Sequence, residues 1–248
     1  MSSLNAIGSP FIELHTVDST NNYAMGLVHA GMAQHGAAVF AHEQTRGRGQ
    51  RNKQWLSESN SNIALSIIFE PQAWSTSQLF TLSKLVTTGV YYFFNSYTTG
   101  GTSIKWPNDI YWRDRKAGGI LIENVIQGSE WKYAVAGIGL NINQTNFKKL
   151  KNKPVSLRQI TGNSFDPVSL AKELCRYIDI QFSKLLANPQ QISDEYHANL
   201  FQLGKKVKLK QGSRIFEAVI KDVTSLGQLV VEHAVEERFD VGEVEWVL

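Results

Sequence analysis

Two short apolar runs, Ala37–Ala41 and Ile63–Phe69, are joined by the stretch Gln44–Trp55, which reads QTRGRGQRNKQW. Each run has the length of a buried strand. The link between them is too long and too polar for a tight hairpin, and loops of this kind are either functional or disordered. Gly47 and Gly49 let the backbone turn freely and bring amide donors close to a ligand. Arg46, Arg48, Arg51 and Lys53 supply positive charge, and the planar fork of arginine suits a phosphate or a carboxylate. On these residues alone the loop has two readings: a solvated basic connection, or a segment that is mobile when empty and orders on an anionic ligand.

A length of 248 residues allows one good-sized domain, or one domain with a small companion. The 42% hydrophobic and 19% charged content is that of an ordinary globular enzyme. A net charge of +3 is too small to argue for nucleic acid by itself. The single cysteine, Cys175, rules out an internal disulfide and a cysteine-based metal cluster. The start MSSLNAIGSPF lacks the cationic and apolar regions of a signal peptide. No apolar run approaches the ~20 residues needed to span a bilayer. The expectation is a cytoplasmic protein with no membrane contact.

Phe11–Val17 alternates like a strand, and Asp18-Ser19-Thr20-Asn21 then opens a helix with Ser19 or Thr20 as N-cap. Leu79, Leu82, Val86, Val90 and Phe93 repeat at helical spacing and predict a helix over Ser77–Asn95. Strands are predicted at Ser103–Trp106, Asp109–Trp112, Gly118–Asn124 and Lys132–Ile142. Gln144–Pro154 is polar and lysine-rich, a second loop expected to be mobile. Asp166-Pro167 is a helix start with proline at the first helical position, and Ile192–Leu200 predicts a further helix. Beyond Leu203 the texture changes to short β-rich runs at Lys206–Lys210, Arg214–Asp222, Leu229–His233 and Glu243–Val247, punctuated by glycine. That is the pattern of a small antiparallel barrel, and it puts a domain boundary near residue 200.

Several constellations can carry chemistry. Lys105-Trp106-Pro107-Asn108-Asp109 groups a cation, an amide and a carboxylate around a stiff proline. Asn108 could read a base or ribose, and Asp109 could hold magnesium through its hard oxygens; a tight turn between strands is the alternative. In Lys116-Ala117-Gly118-Gly119 a lysine adjoins glycines whose backbone can approach a carboxylate or phosphate, unless it is a surface lysine beside a bulge. Gly137-Ile138-Gly139-Leu140-Asn141 puts two glycines in an apolar strand, which points to close approach by a ligand or another backbone. It lacks the third glycine and following helix of a dinucleotide fingerprint. Cys175 reads as a core residue, the six histidines show no metal-ligand spacing, and no G-x-S-x-G elbow is present.

Taken together and in this order, Ser19-Thr20-Asn21, the QT-x-GRG loop, KWPND, K-x-GG-I-L-x-E and GIGLN resemble the biotin protein ligases over roughly residues 10–248. The resemblance implies an α+β fold: a mixed β-sheet catalytic domain with flanking helices over 1–200, followed by a small SH3-like β-barrel over 201–248. It implies that biotin and Mg-ATP give biotinyl-AMP, which then acylates a lysine of a biotin carboxyl carrier protein domain. By the same resemblance, Lys116 and Arg48 are the catalytic residues. Ser19, Thr20, Asn21, Gln44, Gly47, Arg48, Gly49, Trp55, Lys116, Gly118 and Gly119 bind biotin. Arg48, Gln50, Arg51, Lys105, Asn108 and Asn141 face ATP and the adenylate, and Asp109 faces the magnesium ion. Fixed cations suit a reaction in which a carboxylate must approach a polyphosphate.

Two departures from the family pattern stand out. Many relatives read GRGR-x-G-R after QT, whereas here Gln50 follows Gly49 and Asn52 replaces the later glycine, so retention of the adenylate is expected to be weaker. Only 18 residues precede Ser19, too few for the winged helix-turn-helix of repressor-type relatives, so no DNA binding is expected. The oligomeric expectation is a monomer or homodimer. The rival readings are a lipoate–protein ligase of the same fold, and a nucleic-acid-binding protein using the C-terminal barrel and Lys148–Lys153. The second lacks the aromatic interleaving of a stacking platform.

Overall fold

The computed structural model describes residues 5–71, 74–147 and 154–247. Among them a seven-stranded mixed sheet organises the chain. Its strands are β1 (Phe11–Val17), β2 (Ala38–Gln44), β3 (Ile63–Phe69), β4 (Thr102–Lys105), β5 (Asp109–Trp112), β6 (Arg115–Gln127) and β7 (Glu130–Leu140). They lie in the order β1-β2-β3-β7-β6-β5-β4. Only β1 and β2 pair in parallel, joined through helix α1 (Thr20–His29), while the other neighbours are antiparallel.

The period-2 alternation of β3 and β7 divides the sheet into two faces. Ile63, Leu65, Ile67 and Phe69 of β3, with Ala134, Ala136, Ile138 and Leu140 of β7, pack against the larger core. That core also takes in α2 (Leu79–Ser96), α4 (Pro167–Ala187) and α5 (Pro189–Ala198). Ile68 and Val135 face the other way and pack against Ala24 and Val28 of α1. Helix α4 begins as the sequence predicts: Asp166 accepts from the Ser169 amide at 2.9 Å, and Pro167 stands in the first turn.

A second, five-stranded antiparallel sheet contains β8 (Lys206–Gln211), β9 (Arg214–Val223), β10 (Leu229–Glu232), β11 (Glu236–Phe239) and β12 (Glu245–Val247). It is packed against the first: Trp106 donates to the Gly227 carbonyl at 2.9 Å, and Phe201 lies 5.6 Å from Trp246. Leu209, Ala218 and Leu229 belong to the same apolar cluster as the main core. Two elements escape sequence reading. Helix α3 (Leu157–Thr161) is a single short turn defined by a capping box between Ser156 and Gln159. Strand β11 is rich in Glu and Arg, with Phe239 its one buried side chain. The lysine run 148–153 lies outside the described residues. No helix among the described residues is long and apolar enough to cross a membrane.

Candidate functional site

The cavity sits on the α1 side of the sheet and holds about 200 Å³. Its floor is opened by glycine. Gly137 and Gly139 point to this face, two residues apart on β7, while Ile138 between them goes to the opposite core. A Cβ on Gly137 would stand 2.1 Å from the Asn21 Oδ1, and one on Gly139 would stand 2.5 Å from the Trp55 ring. The expected close approach is thus real, but it is made by two side chains rather than by a backbone. Gly119, paired with Gly139 across β6 and β7, continues the opening.

Around that floor runs a chain of hydrogen bonds, neutral from Gln44 through Thr20 and Ser66 to Asn21 and ending on the Glu123–Arg48 ion pair. The Thr20 amide donates to Gln44 Oε1 at 2.8 Å, and the Thr20 hydroxyl lies 3.2 Å from the same oxygen. The buried Ser66 hydroxyl reaches Asn21 Oδ1 at 2.6 Å and Thr20 Oγ1 at 2.8 Å. Asn21 Nδ2 donates to Glu123 at 2.9 Å. Glu123 also receives a two-pronged contact from Arg48, at 2.7 and 2.9 Å, and Arg48 reaches Asn22 at 2.8 Å. Bidentate geometry of this kind fixes the guanidinium in direction as well as position. The start of α1, the end of β2, the middle of β3 and the middle of β6 are therefore tied into one wall.

Trp55 covers another side. Its amide donates to the Gly47 carbonyl at 2.9 Å, and a Cβ on Gly47 would come within 2.4 Å of the Trp55 carbonyl. The Trp55 indole N–H is buried and has no acceptor among the described residues.

The far end is cationic. Lys116 Nζ donates to Asp109 at 2.6 Å, and both residues line the cavity with Lys53. Lys105 stands nearby, largely buried, over the rings of Tyr111 (4.6 Å) and Trp246 (5.3 Å). Burial pushes its pKa down to about 8; Asp109 opposes that shift, and Lys116 and Lys53 add to it. The cavity is thus lined by neutral donors and acceptors at one end and by positive charge at the other.

Of the residues expected here, Ser19, Thr20, Asn21, Gln44, Arg48, Gly49, Gln50, Trp55, Asp109, Lys116 and Gly119 line the cavity. Others do not. Gly118 turns to the opposite face, where a Cβ would meet Leu140 at 2.3 Å, because alternation sends it away from Gly119. Gly47 serves the Trp55 contact from behind. Asn108 is buried with its amide on the Ile120 carbonyl, and Asn141 is buried with its amide on the Val155 carbonyl at 3.2 Å. Both side chains brace backbone carbonyls. Lys105 donates to the Tyr111 hydroxyl at 3.1 Å and lies behind the lining. Arg51 reaches the carbonyls of Val241 and Gly242 in the second sheet.

Asp109 does not fit a protein-held metal seat. Its carboxylate is taken up by Lys116, and no group of three or more His, Cys, Asp or Glu side chains among the described residues could hold a metal ion. Sequence reasoning missed Ser66 and Glu123, and it read Lys53 only as one of the loop's cations. Ser66 had a legible signal, being the one polar residue in the run IALSIIF. Glu123 stood at the end of a quoted motif with no role attached to it.

In sequence and in fold, the chain is similar to known proteins. The model of the "Biotin/lipoate A/B protein ligase family" matches residues 14–141. The bifunctional ligase/repressor BirA of Bacillus spizizenii is 30% identical over 174 residues, which cover 68% of this chain and 52% of that protein. The chain thus spans about half the length of such bifunctional relatives. The biotin–[acetyl-CoA-carboxylase] ligase of Paracoccus denitrificans is 27% identical over 231 residues, covering 88% of this chain and 92% of that one. In fold, the chain is similar to the biotin protein ligase of Aquifex aeolicus solved with biotin and ATP. The TM-score is 0.78 at 24% identity, over 94% of this chain and 97% of the other.

Proposed function

Because the chain belongs to the biotin/lipoate A/B protein ligase family, we propose that it is a biotin protein ligase. It activates biotin with Mg-ATP to biotinyl-5'-AMP and pyrophosphate, then transfers biotin to a lysine of a biotin carboxyl carrier protein domain. The observation that carries this reading is the two-ended cavity. The linked amides and hydroxyls of Thr20, Asn21, Gln44 and Ser66 suit a neutral ureido ring, which needs paired donors and acceptors. The lysines at the far end suit a carboxylate that must meet a phosphate.

In the first step the biotin carboxylate oxygen attacks the α-phosphorus, and the bond to the β-phosphate oxygen breaks. Lys116 exchanges Asp109 for the two approaching anions and offsets their repulsion, as fixed cations do where charge builds up. In the second step a neutral lysine amine attacks the acyl carbon, an amide forms, and AMP leaves. Magnesium enters with the triphosphate as part of the substrate, and Asp109 acts as the hydrogen-bonded partner that aims Lys116. Gln50 lines the cavity as a neutral donor, which supports weaker retention of the adenylate.

Residues 1–200 form the catalytic domain and 201–248 a small SH3-like barrel. This division is supported by the separate five-stranded sheet that begins at Lys206. The reading includes a cytoplasmic location, which a need for ATP supports. The test is incubation of the purified chain with ATP and either biotin or lipoate, followed by mass spectrometry for the adenylate. Biotinyl-AMP with biotin alone is expected, and comparable pyrophosphate release with lipoate would move the assignment to the lipoate branch of the family.

A further inference from the structure

Residues 49–53 are held together mainly by contacts internal to the loop. Gly49 donates to the Lys53 carbonyl at 2.7 Å, and Lys53 to the Gln50 carbonyl at 3.1 Å. These bonds shape the turn without saying where it sits. The ends of the basic loop are fixed by the Thr45 and Arg46 amides, which donate to Val17 and Asp18, and by Gln44 and Trp55; between them, among the described residues, two arginine side chains tie it to the rest of the molecule. Arg48 is bound to Glu123 of the main sheet. Arg51 has a left-handed backbone (φ 55°), does not line the cavity, and projects toward the turn between β11 and β12. There its guanidinium donates to the carbonyls of Val241 and, at 3.3 Å, Gly242.

The seat is shaped for that side chain. Gly242 has φ +93°, and a Cβ there would lie 0.7 Å from an Arg51 terminal nitrogen, so only glycine leaves the space open. The turn is itself braced. Glu243 donates its amide to the Asp240 carbonyl at 3.0 Å, and the Asp240 amide donates to the Glu243 carboxylate at 2.8 Å. Asp240 also accepts from Gln228 at 3.1 Å, one residue from the Gly227 carbonyl that receives Trp106. On the loop side, Gln50 and Lys53 flank Arg51 in sequence and do line the cavity. The outward anchor and the inward-facing residues belong to the same turn.

We infer that Arg51 is a positioning residue, seated by the Val241–Gly242 turn so that the second sheet holds the basic loop over the reaction cavity. The consequence, which rests on the ligase reading, is that the C-terminal sheet governs retention of the acyl-adenylate through a contact spanning 191 residues of sequence.

Five proteins test it: wild type, Arg51→Ala, Arg51→Lys, Gly242→Ala and the double variant Arg51→Ala/Gly242→Ala, which completes a cycle. The first readout is amide hydrogen exchange of residues 46–54 in the ligand-free protein. Arg51→Ala and Gly242→Ala should each speed exchange there by at least about tenfold, and the double variant should exceed neither. Arg51→Lys, which keeps a donor, should fall between. The second readout, with biotin and ATP, is the fraction of biotinyl-AMP found free in solution. It should rise several-fold while the rate of adenylate formation changes by no more than about twofold. Wild-type exchange in Arg51→Ala, or additive effects in the cycle, would overturn the inference. If Gly242→Ala does not fold, Arg51→Ala against Arg51→Lys still decides. If the wild type makes no adenylate, the ligase reading fails while the exchange readout still decides the seat.

Discussion

Ser66→Ala removes one oxygen from the middle of β3 and is the sharpest test of how the neutral end of the cavity is built. Ser66 is fully buried, and its hydroxyl lies 2.6 Å from Asn21 Oδ1 and 2.8 Å from Thr20 Oγ1. The hydroxyl can donate to one neighbour and accept from the Thr20 hydroxyl, so the variant loses up to two hydrogen bonds and leaves the buried Asn21 oxygen unmatched. A net bond contributes about 1 kcal/mol and an orphaned buried acceptor costs about 1–3 kcal/mol. Asn21 keeps its amide contact to Glu123, and Thr20 keeps Gln44, so the wall should loosen and not collapse. The expected loss is about 2 kcal/mol, a fall in Tm of roughly 4–8 °C for a chain of this size. On the proposed reading, in which Thr20 and Asn21 contact the ureido ring, biotin affinity should fall by roughly five- to thirtyfold, the equivalent of 1–2 kcal/mol. Chemical denaturation and calorimetric titration with biotin measure the two effects. Unchanged stability together with unchanged affinity would show that Ser66 does not set the positions of these side chains.

Lys116→Ala should lower adenylate formation by about two orders of magnitude or more, as removal of an electrostatic stabiliser does. The Asp109 pair is partly exposed, so stability should fall by about 1 kcal/mol or less; near-normal pyrophosphate release would exclude the role. Lys105 makes a pH-dependent prediction. Its folded pKa of about 8 lies below the ordinary 10.5, so between those values the unfolded chain binds more protons. Its burial therefore costs stability at neutral pH, by up to about 3 kcal/mol, and that cost fades as pH rises from about 8 toward 10.5. Lys105→Met should gain on the wild type at pH 7 and lose that advantage near pH 10 in thermal melts. Parallel melting profiles for the two proteins would contradict the buried charge.

Much of the fold is legible locally, because periodicity, caps and turn residues act over a few positions. Phe11–Val17 and Ile63–Phe69 are strands to the residue, and Asp166-Pro167 starts a helix as its chemistry requires. Strand β11 was not legible, since an exposed charged strand carries no apolar alternation. The site divides along the same line. That a lysine beside glycines and a Gly-x-Gly strand mark close approach follows from residue type alone.

Which group makes that approach does not follow from residue type. It depends on the pairing register that sets Gly119 opposite Gly139 and brings Asn21 and Trp55 onto the glycine gaps. Register also turned Gly118 away from its neighbour and gave the Asn108 and Asn141 amides to backbone carbonyls. Arg51 shows the limit most plainly. Its charge, loop and spacing all point to a phosphate, yet its partner is a turn 191 residues away whose glycine leaves room for it. Side-chain chemistry is written locally, whereas the choice of partner is settled by packing between segments that have no sequence relation to one another.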